Sequence, residues 1–234
     1  MRIAAYLALI AIVFIVAQTG AVIAVGVVKA VLVPGFDIAE WASRADSDGL
    51  VVAAASFASA ILCVPLVLFL VYRHEPAPWA FLGLRPVRAA DLAIVCGVMI
   101  AFIVASDAIN VWLLHRPLVP PFLRDSYISA TTPLFLLAAL VLAAPLVEEL
   151  LVRGFLFGTL RAKGIRVGWV VAVTTLVFAV VHTQYDLHDV VVVGLIGLLL
   201  GLARARYESI VPSMAMHALS NAIAFVETMY VMHA

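Results

Sequence analysis

From Ile3 to Val33 the only clearly polar residues are Gln18, Thr19 and Lys29, and six more apolar runs follow at roughly 50–72, 91–114, 132–160, 167–185, 189–203 and 208–231. About 20 helical residues cross the hydrocarbon core of a bilayer, which is roughly 30 Å thick. Within that core each backbone polar group needs a partner, and runs of this length meet the need by becoming helices. The chain is therefore expected to be an all-α membrane protein, a polytopic bundle of about seven transmembrane helices. The first run is long and the sixth short, so the expected count spans six to eight. Composition agrees: 66% of the 234 residues are hydrophobic and only 12% charged, against about 25% charged in an ordinary soluble domain.

The first run is too long for the apolar stretch of a typical secretory signal and reads as a spanning helix. No connecting segment is long enough for a separate soluble catalytic domain, so chemistry has to reside on the helices. Fourteen basic residues balance fourteen acidic ones, which leaves no basic field to attract nucleic acid. Cys63 and Cys96 lie inside apolar runs and read as packing residues. Positive charge is asymmetric. With the N-terminus inside, Arg2, Arg73, Arg85, Arg88, Arg161, Lys163, Arg166, Arg204 and Arg206 fall on the cytoplasmic side, and Lys29, Arg44, Arg116 and Arg124 on the other. Trp41, Trp79, Trp112 and Trp169 lie near span ends and read as interface anchors. Gly194, Gly197 and Gly201 place small residues along one face of the sixth span, which favours close helix packing.

Ionisable residues inside hydrocarbon are costly and face a cavity or a partner. In the fourth span these are Glu148, Glu149 and Arg153, in the fifth His182, and in the seventh His217 with Asn221 one turn later. Glu149 and Arg153 are spaced for an ion pair, with the acid on the N-terminal side. Glu148 is turned about 100° from Glu149, leaving one carboxylate structural and the other free to react. His217 and Asn221, like Phe178 and His182, are four apart and share a helix face. Counted from the nearest cytoplasmic charges, Glu148, His182 and His217 lie roughly 20, 24 and 17 Å along their helices, so an intramembrane polar cavity is expected where they meet. Pro145, just before the acidic pair, is expected either to kink the helix or free a carbonyl, or to be an ordinary tolerated proline. Asp107 and Asn110 in the third span read as interhelical hydrogen-bond formers, and His188 and Asp189 as solvated interface residues.

Glu148-Glu149-x-x-x-Arg153, Phe178-x-x-x-His182 and His217-x-x-x-Asn221 resemble the three motifs of the CPBP family. That family comprises the CAAX proteases and bacteriocin-processing enzymes and includes the Ras-converting endopeptidase. All three motifs occur in order, within roughly 130–225. The resemblance implies an intramembrane endopeptidase of the glutamate type. In it Glu148 and His182 activate water, His217 and Asn221 stabilise the oxyanion, and Glu149, Arg153 and Phe178 support them. Residues 126–234 would form the catalytic helices and 1–125 the N-terminal helices and loops of a single integral membrane domain. The expected substrate is a peptide or lipidated protein, cleaved near the C-terminus of a prenylated CAAX-type or other hydrophobic peptide. The expected location is a bacterial or archaeal cytoplasmic membrane. No cofactor is expected. The same Glu148, His182 and His217 would serve a zinc protease as ligands, with water in an open position. A polar cluster of this kind also suits an ion- or proton-coupled transporter or a membrane scaffold.

Overall fold

In the computed structural model, which describes residues 3–234, seven long helices occupy the seven apolar runs. They are α1 (Ile3–Leu32), α2 (Gly49–His74), α3 (Ala89–Leu113), α4 (Pro133–Ala162), α5 (Val167–Val180), α6 (Leu187–Tyr207) and α7 (Val211–His233). Five of them, all but α5 and α7, are long and apolar enough to cross a membrane. α5 has only 14 residues. α7 has 23, but His217, Ser220, Asn221 and Glu227 dilute its apolar character. Arg2, part of the charge asymmetry, lies outside the described residues.

α4 is the central element: α2 packs on one side of it and α7 on another, α1 lies on α2, and α3, α5, α6 and α7 pack in series beyond. Val95, Met99, Phe178, Leu200 and Met216 fill the interior between α3, α5, α6 and α7, while Val67, Val71, Leu82, Leu150 and Phe155 fill the one between α2 and α4. Large apolar side chains such as Ile61, Phe69, Val104, Leu142 and Leu176 point outward, as they must where the solvent is lipid. The glycine face of α6 lies on α5: a Cβ on Gly197 would stand 2.9 Å from Phe178 Cδ1, and one on Gly201 3.2 Å from Val171 Cγ1. Close packing is thus what those glycines provide.

α4 is not a uniform α-helix. Residues 139–143 and 150–156 are π-helical, so some backbone N–H groups reach carbonyls five residues back. The Ala144 N–H bonds to Ala139 O, and Pro145 has no N–H to offer. The carbonyl of Leu140 is therefore left without a donor on its own helix, which selects the freed-carbonyl alternative for Pro145. The second wide turn does the same to Arg153, because the Phe157 N–H goes to Val152 and Gly154 instead.

Several details differ from the sequence reading. The run at 167–185 is helical only to Val180, so His182 sits just past the helix end. The segment 115–131, which links the third and fourth apolar runs, contains the helix Pro121–Ser129, with prolines at its entry where a missing N–H costs nothing. Trp41 is buried and its indole N–H donates to Asp48 Oδ2 at 2.9 Å, while Trp79, Trp112 and Trp169 are exposed as anchors would be. His188 is held by Asn110, Nε2 to Oδ1 at 2.8 Å, and so ties α6 to α3, which bears out the interhelical reading of Asn110.

Gly49 opens α2 against the helix Pro121–Ser129, where an added Cβ would stand 2.1 Å from Ser126 O; at Gly97 in α3 nothing lies within 4 Å. Gly49→Ala is expected to cost about 1–3 kcal/mol through overpacking. Gly97→Ala is expected to hold or slightly raise stability through better helix propensity. Thermal melting of the two variants in the same detergent measures the contrast.

Candidate active site

Glu148 projects from α4 into a cavity of about 470 Å³. α1 contributes Phe14 and Gln18, α2 Val51 and Ser56, the turn after α5 His182 and Tyr185, and α7 His217 and Asn221. The Glu148 side chain is 27% exposed to it, against 0% for its neighbour Glu149. The 100° turn between consecutive helical residues thus separates one carboxylate facing solvent space from one facing the packed interior.

Glu149 is the hub of the buried side. Its Oε1 accepts from Arg153 Nη1 at 2.9 Å and from His217 Nδ1 at 3.1 Å. Arg153 is fully buried; its Nη2 donates to Gly197 O at 2.9 Å and its guanidinium lies 4.2 Å from the Phe178 ring centroid. Phe178 in turn lies edge-on to His217, at 5.5 Å between ring centroids. A buried ion pair needs such extra contacts to offset the loss of water around both charges.

Both histidines present their Nε2 atoms to Glu148. His182 Nε2 lies 3.8 Å and His217 Nε2 3.9 Å from Glu148 Oε2, an oxygen with no direct hydrogen-bond partner among the described residues. The other nitrogen of each ring is committed. His182 Nδ1 is 2.6 Å from Phe178 O; a carbonyl only accepts, so that nitrogen carries the proton. The bond also caps α5, since Phe178 O is one of its unpaired C-terminal carbonyls. His217 Nδ1 donates to the Glu149 carboxylate. Each neutral ring therefore turns a bare Nε2 lone pair toward Glu148, an orientation set by the partner of the opposite nitrogen.

Asn221 Nδ2 donates at 2.7 Å to Leu140 O, the carbonyl left free by the wide turn and Pro145. One amide N–H is thereby used and the other remains. All seven residues singled out from the sequence meet here: Glu148, His182, His217 and Asn221 at the cavity, and Glu149, Arg153 and Phe178 behind it. Tyr185, whose ring lies nearly parallel to His182 at 6.1 Å and 15°, escaped the sequence reading, as did Glu227, which lines the adjoining cavity with Asp107. Glu227 is an acid inside an apolar run, and that signal was available. For Tyr185 there was none, because its place depends on where α5 stops.

A zinc ion held by Glu148, His182 and His217 would need donor atoms about 3.4 Å apart, from metal–ligand distances near 2.1 Å in a tetrahedron. Glu148 Oε2 stands 3.8 and 3.9 Å from the two Nε2 atoms, and no group of three His, Cys, Asp or Glu among the described residues stands in a metal-holding arrangement.

Residues 130–223 match the family model described as Type II CAAX prenyl endopeptidase Rce1-like. The match includes every member of the buried hub and of the cavity cluster, and the matched region begins just before α4, the helix that carries both acids. The chain is also 29% identical over 164 residues, 67% of its own length and 72% of the other's, to an uncharacterized 24.3 kDa protein of Escherichia coli. No solved structure gives a significant match.

Removing Arg153 would leave Glu149 buried and uncompensated. Arg153→Met is expected to destabilise the protein by about 3–5 kcal/mol. Pairing it with Glu149→Gln is expected to recover a large part of the loss. Melting temperatures of the two single variants and the double variant in detergent give the coupling directly.

Proposed function

We propose that the chain is an intramembrane endopeptidase in which Glu148 activates the attacking water. The observation that carries this reading is the meeting of Glu148 Oε2 with two imidazole Nε2 atoms at 3.8 and 3.9 Å on a cavity wall. These separations exceed direct hydrogen-bond length and suit groups that share a solvent molecule.

A water held among these acceptors gives one proton to Glu148 and directs its second hydrogen to His182 Nε2. Its oxygen then bonds to the carbonyl carbon of the scissile peptide. The negative charge passes to the former carbonyl oxygen, where preorganised donors stabilise it. Asn221 offers its remaining amide N–H. His217, its Nδ1 held by the Glu149 carboxylate, donates from Nε2 when that nitrogen carries a proton. Glu148 finally delivers its proton to the leaving nitrogen as the C–N bond breaks, so the carboxylate is regenerated. Glu149, Arg153 and Phe178 act through the groups that they position.

The membrane setting and the Rce1-like match favour a hydrophobic peptide end as substrate, such as the C-terminus of a prenylated CAAX-type protein. The cavity of about 470 Å³ has room for an extended stretch of a few residues, with polar groups from α4, α7 and the turn after α5 on its wall.

Peptide cleavage by purified protein in liposomes is expected to fall by about 10²–10⁴-fold in Glu148→Gln, with folding retained. Undiminished cleavage would remove Glu148 from the chemistry. A protein that cleaves no member of a hydrophobic peptide library would instead favour a transport or scaffold role. Chelator-washed protein is expected to keep its activity with far less than one metal ion per chain, and activity restored only by zinc would establish the metal reading.

Pro145→Ala supplies a backbone N–H that competes with Asn221 for Leu140 O. A roughly tenfold drop in kcat is expected, with KM little changed, because only a transition-state contact is disturbed. Steady-state kinetics on the best library peptide tests it.

A further inference from the structure

At the end of the bundle remote from the Glu148 cavity, a second cavity of about 470 Å³ is lined by Phe81, Arg85, Phe157, Arg161, Arg204 and Glu208, among others. Arg161 stands in the last turn of α4, Arg204 in the last turn of α6, and Arg85 on the segment that leads into α3. We propose that this cavity binds the phosphate group of an anionic phospholipid.

Arg204 is the built part of the site. It is 6% exposed, far less than is usual for an arginine at a helix end. Its Nε donates at 2.9 Å to Arg153 O, the carbonyl bypassed by the wide turn of α4, and its Cζ lies 4.7 Å from the Phe157 ring centroid. Its other side lies against Gly83, where a Cβ would stand only 2.6–2.8 Å from Cζ, Nη2 and Nε. Gly83 has φ +73°, so the position favours glycine both for its backbone and for the close approach of the guanidinium. The Nε bond is the only hydrogen bond of Arg204 to protein among the described residues. The fork of Nη donors is thus fixed in place without a protein acceptor.

Charge in the cavity is unbalanced. Arg85 Nη1 pairs with Glu208 Oε2 at 3.0 Å, and Arg161 Nη1 donates to Ile165 O at 2.7 Å. Three guanidinium groups thus face one carboxylate. A planar array of N–H donors with net positive charge suits a tetrahedral oxyanion. Lipid is favoured over a free anion by the surroundings. Trp79 and Trp169, 58% and 68% exposed, stand within two residues of Ala80 and Val167, which line the cavity. Exposed tryptophans of this kind mark the headgroup level of a bilayer, and basic pockets between helices at that level take acidic headgroups.

Native mass spectrometry of delipidated protein in detergent, titrated with phosphatidylglycerol or phosphatidylcholine, tests the proposal. Wild type is expected to retain phosphatidylglycerol in preference to phosphatidylcholine. Arg85→Gln and Arg161→Gln are each expected to weaken that retention about fivefold, with unchanged melting temperature. Arg204→Gln is expected to do the same, and if it does not fold the other two variants decide. Equal retention of the two lipids, or retention unaffected by the arginine variants, overturns the proposal. Displacement of phosphatidylglycerol by equimolar inorganic phosphate overturns it too, because the site would then be one for the free anion.

Discussion

A carboxylate at membrane depth survives only in company, and the Glu149–Arg153 pair is the arrangement around which the helices of this protein are set. Neither side chain is exposed. Arg153 reaches from α4 to the backbone of α6, and Glu149 reaches from α4 to His217 on α7. In hydrocarbon such a pair has no aqueous alternative of comparable energy, so it fixes the rotation of α4 relative to both neighbours. That rotation is what turns Glu148, one residue earlier, toward the cavity.

Irregular backbone supplies the rest of the alignment. Inside a bilayer a carbonyl that loses its helical donor has to find another, and here side chains supply it. Leu140 O takes the amide of Asn221, Phe178 O takes the ring N–H of His182, and Arg153 O takes the guanidinium of Arg204. π-helical turns in α4 and the early end of α5 therefore act as fixed acceptors that aim side chains. A regular α-helix would satisfy its own carbonyls and leave those side chains free to rotate.

Much of this was legible in the chain itself. Seven apolar runs mark the seven long helices, and five of these have the length and apolarity that hydrocarbon thickness imposes. The coincidence in depth of Glu148, His182 and His217 follows from simple rise per residue, and the i,i+4 spacing of Glu149 and Arg153 announces their pair. What escaped depends on local backbone departures. The widening of α4 at 139–143 leaves no mark in hydrophobic periodicity, so Pro145 could be read either way and the partner of Asn221 was out of sight. The end of α5 at Val180 is equally unmarked, because Val181 is as apolar as the residues before it; the motif spacing from Phe178 to His182 therefore looked like one ordinary turn. Trp41 was read as an anchor from its position alone, whereas its indole is drawn inward by Asp48, an acid 7 residues away that also caps α2.

The brevity of α5 bears on how solvent gets into the protein. Fourteen residues make a rod of about 21 Å, some 9 Å less than the hydrocarbon thickness. Lipid beside that flank has to thin or dip to match it, which carries the aqueous boundary down toward the turn that bears His182. The hydrolysis proposed for the Glu148 cavity would consume one solvent molecule per cycle, and a stunted helix is a simple way to keep the supply line short without boring a pore through the membrane.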